Sequence, residues 1–119
     1  MKKGIAVLLV LSVMLSLPLS ANATERSARV IPSLIFQGTT AISEVLIYGN
    51  NNTEQIDATI KLWYRNRCLE TWTVSGTGYI MFSGTATVAV EKGKTYRLSV
   101  DAAFDGDVQP TVSISKLCE

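Results

Sequence analysis

From Ser33 to the C-terminus the chain never sustains the 3.6-residue apolar period of a helix. Apolar and β-branched residues instead alternate in short runs, punctuated by turn residues about every 8 to 12 positions. That rhythm predicts an all-β fold. Residues 33–119 are expected to form one domain of seven to eight antiparallel strands, since no linker and no internal repeat divides them. Val, Ile and Thr supply 28 of the 96 residues from Thr24 onward, and their branched side chains suit a pleated surface better than a helix.

The strands are expected over 34–38, 42–48, 57–65, 68–74, 85–90, 96–102 and 111–117, with a short strand or bulged entry at 79–82. The second has a nearly continuous apolar centre, Val45-Leu46-Ile47. In the third, alternation sends Ala58, Ile60, Leu62 and Tyr64 to the core and Thr59, Lys61, Trp63 and Arg65 outward. Arg65-Asn66-Arg67 makes a turn, and 75–78 ends the fourth strand. Arg97, Ser99 and Asp101 face water. The Asp105-Gly106 pair readily supplies the positive φ of a hairpin turn.

The first 23 residues have the three parts of a cleavable secretory signal: Lys2-Lys3, an apolar run from Ile5 to Leu19 expected as a signal helix, and Ala21-Asn22-Ala23 as an A-x-A site. A retained anchor is the alternative, but Ser12, Ser16, Pro18 and Ser20 interrupt a run near the minimum of about 17 to 20 spanning residues. The expected product is secreted and extracellular, free of the membrane after signal removal, with 24–32 as a flexible lead-in ending near Pro32. Removing Lys2 and Lys3 leaves nine cations against ten carboxylates. So balanced a surface lacks the field that gathers nucleic acid.

Only Cys68 and Cys118 occur, and in an oxidising compartment an even pair reads first as one disulfide. A loop of that size gives roughly 4 kcal/mol in the chain-entropy treatment. A reactive thiol or a bridge between chains is the other reading, although neither cysteine has the C-x-x-C or basic-helix setting that activates one.

Gly93-Lys94-Thr95-Tyr96, followed by Leu98 and Val100, resembles the G-x-x-Y entry to the sixth strand of immunoglobulin-like and fibronectin type III sandwiches, whose tyrosine hydroxyl bonds back to the preceding corner. The wider pattern from Trp72 through Ser75-Gly76 to Leu98 is similar to a family of small secreted β-sandwich proteins of Gram-positive bacteria whose function is not known. The resemblance implies an immunoglobulin-like sandwich and secretion, and no activity. Antibody-type domains place their cysteines in the second and sixth strands, unlike this chain. If the third, sixth and seventh strands share a sheet, Cys68 and Cys118 arrive at one end about two inter-strand spacings apart, roughly 10 Å, which the turn at 65–68 would close.

No histidine is present, which excludes a Ser-His-Asp triad, a Cys-His dyad and His-ligated zinc. Ser113 and Lys116 have Ser-x-x-Lys spacing, but residues three apart on a strand point to opposite faces. Asp101, Asp105 and Asp107 do not have the loop pattern of an EF-hand calcium site. No catalytic residue, cofactor or metal is expected. The sharpest candidate is Trp63, an indole on the outward parity between Lys61 and Arg65, as an aromatic platform for a ligand. The plainer alternative is a tryptophan buried by a bulge or a covering layer. Trp72 is read as packing at a sheet edge. The sequence therefore predicts a non-enzymatic, monomeric contact module for an extracellular protein or glycan, with a structural component self-assembling through exposed sheet edges as the alternative.

Overall fold

A computed structural model describes residues 28–119, and the expected signal segment 1–23 lies outside the described residues. Eight strands follow in order: β1 (Arg29–Gln37), β2 (Thr40–Tyr48), β3 (Gln55–Tyr64), β4 (Arg67–Thr77), β5 (Tyr79–Thr85), β6 (Thr95–Phe104), β7 (Asp107–Val108) and β8 (Val112–Leu117). No helix occurs among the described residues. Strands β1-β2-β5 make one antiparallel sheet, and β4-β3-β6 continue into β7 and β8 in the other. Both β7 and β8 pair with the side of β6 that β3 leaves free, so they act as one strand interrupted at 109–111.

The period-2 pattern places the core where the sequence predicts. On β3, Ile56, Ala58, Ile60 and Leu62 are buried; on β6, Tyr96, Leu98, Val100 and Ala102 are. Leu34, Ala41, Val45 and Ile47 come from the facing sheet. Tyr96 anchors one end, its ring 5.8 Å from Phe36 and 5.4 Å from Tyr64. Its hydroxyl accepts a 2.9 Å hydrogen bond from the Glu91 N–H, the back-bond to the preceding corner that the Gly93–Tyr96 resemblance implies.

The turns follow local chemistry. Asp105 and Gly106 have φ of 51° and 82°, as a hairpin turn with two positive-φ central residues requires. Arg65, at φ 56°, reverses the chain between β3 and β4. Gly78, at φ 75°, is the single residue between β4 and β5, where the chain passes from one sheet to the other.

Four expectations change. Strand β1 begins at Arg29, inside the expected lead-in 24–32, and pairs over its whole length with β2. Pro32 sits within it because β1 is an edge strand, where a missing N–H need not break a ladder. Strand β4 runs on through Ser75-Gly76, and only Gly78 breaks it. Residues 86–94 are not a strand. They lie along the β1–β2 hairpin, the Ala86 and Val90 N–H groups donating to the Ala41 and Thr39 carbonyls, which leaves Val88 exposed.

The fourth correction is covalent: Cys68 and Cys118 are free thiols. Strands β3, β6 and β8 do share a sheet, but Cys68 belongs to β4, on the far side of β3 from β6. It stands in one row with Trp63, Arg97 and Ser115. Cys118 is three residues beyond that row, so the two lie about three strand spacings, roughly 14 Å, apart across the sheet and about 10 Å along it. A disulfide tolerates a Cα separation of at most about 7 Å. Their faces also differ: Cys68 is exposed, whereas Cys118 is buried in the core.

Candidate functional site

Trp63 lies near the end of β3 on the outer face of the larger sheet, with Cys68 and Arg97 as its cross-strand partners. Its parity is the one the sequence predicts, and a bulge next to it in β4 leaves Leu69 unpaired without turning the indole inward. The ring is half-buried because it lies over β6: its N–H donates to Ser99 Oγ at 2.9 Å. Ser99 is only 3% exposed as a result, where the sequence predicts an outward residue facing water. The Arg97 guanidinium lies 4.9 Å from the ring centroid and the Lys61 ammonium 5.8 Å, both within reach of cation–π attraction.

Of the expected trio, Lys61 and Trp63 meet and Arg65 does not join them. The positive-φ turn carries Arg65 over the Tyr64 ring, 5.2 Å from its centroid. Arg97 takes that place, and no sequence window shows this, since β3 and β6 are paired only in the fold. Lys94 covers Tyr64 as well, at 5.0 Å. Its ammonium is held above the ordinary lysine pKa, first by its hydrogen bond to Glu91 and then by that carboxylate's charge.

Along the same outer face, away from Trp63, runs a groove of about 370 Å³ lined by Asp57, Thr59, Thr73, Ser75, Asp101 and Val108. Its carboxylates already have partners. Ser75 Oγ donates to Asp57 at 2.8 Å, and the Thr111 hydroxyl donates to Asp101. Among the described residues no group of three or more acidic or thiol side chains is arranged to hold a metal ion. The face is thus polarised lengthwise, with Lys61 and Arg97 toward one end and Asp57 and Asp101 toward the other.

Loop 86–94 is fastened to this sheet's edge by Glu70, whose carboxylate accepts from the Thr87 N–H at 3.0 Å and its hydroxyl at 2.9 Å. Trp72, also on β4, packs against Phe82 of the opposite sheet, with ring centroids 5.7 Å apart. It is a packing residue at a sheet edge, as its sequence position suggests. Compared with protein-family models, curated proteins and solved structures, the chain matches none.

Proposed function

We propose that the protein is a secreted, non-enzymatic contact module that binds an extracellular glycan or protein through the outer face of the β4-β3-β6-β8 sheet. The observation that carries this reading is the half-exposed Trp63 indole framed by Arg97 and Lys61. A half-exposed indole overlaid by two cations offers a ring edge and positive charge together, which favours an anionic partner, a carboxylated or sulfated sugar before a neutral one.

The proposed frame is an immunoglobulin-like, fibronectin type III-like sandwich. Two features support it: the third, sixth and last strands share a sheet opposite the first, second and fifth, and Tyr96 bonds back to its corner. Secretion is supported by the Lys2-Lys3, Ile5–Leu19 and Ala21–Ala23 pattern of the sequence.

The test is retention on immobilised sulfated and carboxylated glycans. The unsubstituted protein should be retained and should elute with salt, and Trp63→Ala and Arg97→Ala should each lower retention while far-ultraviolet circular dichroism stays unchanged. Retention indifferent to both substitutions, or none on any anionic glycan or acidic protein surface, would remove this face as the contact surface.

A further inference from the structure

The smaller sheet turns an apolar face to solvent. An antiparallel sheet with one face on the core ordinarily presents polar residues on the other. Here β1, β2 and β5 place Ile31, Leu46 and Met81 in one cross-strand row on the outer face, and Arg29, Tyr48 and Tyr79 in the next. Met81 is 71% exposed, and Ile31 and Tyr79 are each 42% exposed. A further row contributes Ile35 and Ile42. Between them stands a row with a single charge, Glu44, flanked by Ser33 and Ser83. Glu44 is exposed, and its carboxylate has no ion pair or hydrogen bond among the described residues. Arg29 lies over the Tyr48 ring at 5.6 Å, two rows from Glu44.

We propose that this face is the interface of a homodimer, formed by a second copy of the chain about a two-fold axis that crosses the strands at the Leu46 row. Charge decides both the occupant and the axis. An axis across the strands keeps Leu46 opposite itself and exchanges the rows on either side. Each Glu44 then faces the other copy's Tyr48 hydroxyl beside its Arg29. An axis along β2 would instead set Glu44 against Glu44, two like charges in an apolar interface. The patch carries its own complement, one cation and one anion equally spaced from the centre, as an isologous contact requires.

The rows that meet their exchanged counterparts are those of Glu44, Leu46 and Tyr48: three strands and the five residues from Arg29 to Ser33, about 14 by 17 Å, roughly 240 Å² in plan per copy. So small a contact is that of a weak, reversible dimer. The shallow apolar depression of about 230 Å³ between Ile31, Leu46 and Met81 would receive the same residues of the partner, as interdigitating sheets about 10 Å apart do. This differs from assembly through sheet edges, because no ladder is extended. It leaves the Trp63 face free.

Sedimentation of the protein recovered from producing cells, from about 1 to 100 μM across the usual range of weak to moderate dimers, tests the proposal. The unsubstituted protein should move from monomer to dimer with concentration. Met81→Glu and Leu46→Glu should each give a monomer throughout; at so exposed a position Met81→Glu should leave circular dichroism and thermal midpoint unchanged. Glu44→Lys and Arg29→Glu should each weaken the dimer at least about tenfold, and the doubly substituted protein should recover it, because the exchanged charges again face one another. A protein that stays monomeric at the highest concentration overturns the proposal, as does a dimer that Met81→Glu leaves intact. A double substitution as weak as the single ones overturns the two-fold arrangement.

Discussion

At the scale of single residues, partners decide. The Tyr96 hydroxyl ties strand β6 to the loop before it by its bond with the Glu91 N–H. Tyr96→Phe keeps the ring between Phe36 and Tyr64 and removes that bond, so it should cost about 1 kcal/mol. A urea titration should show this as a lower midpoint with an unchanged slope. The two thiols make a second prediction. Cys68 lies exposed on β4 and Cys118 buried beside the last strand, so a thiol reagent should label Cys68 in the native protein and reach Cys118 only on unfolding, read by intact mass. The sequence offered an even pair of cysteines but not the two strands, β3 and β6, that lie between them.

At the scale of elements, the decisive position is where the chain leaves one sheet for the other. Gly78 has positive φ. Its N–H donates to the Glu54 carbonyl at 2.7 Å, and its carbonyl accepts from Gly49 at 2.9 Å. A Cβ there would stand 2.8 Å from the Asn52 carbonyl oxygen, backbone that cannot swing aside. Gly78→Ala should therefore destabilise by about 1 to 3 kcal/mol, from strain and contact together. Gly38→Ala, in a hairpin with open space around the Cβ, should cost less; comparing the two thermal midpoints isolates the close approach. Local chemistry made the turns at 65–66 and 105–106 legible. The alternation at 85–90 misled, because Ala86 and Val90 are buried by packing along a hairpin and not by pairing in a sheet.

At the scale of the whole molecule, the two sheets share one core and the chain crosses between them at several points. Unfolding should be a single transition. Tryptophan fluorescence, which reports Trp63 on the outer face and Trp72 between the sheets, should coincide with far-ultraviolet circular dichroism through a urea titration; separated midpoints would show the sheets failing independently. The molecule has two unlike outer faces, one polar and lengthwise charged around Trp63 and one apolar around Leu46. The sequence carried a sign of the second, since the unbroken Val45-Leu46-Ile47 run is the pattern of a strand covered on both sides.

The sequence by itself determined the β class, the core positions, most turns and the outward parity of Trp63, because backbone alternation and turn propensity act between neighbours in the chain. Only the tertiary structure decided that Arg97 and not Arg65 stands over the Trp63 ring, that the indole N–H is taken by Ser99, and that Cys68 and Cys118 lie on different faces. Those outcomes depend on which strands pair and in what register. Pairing register is set by the packing of distant segments, which no local window of sequence contains.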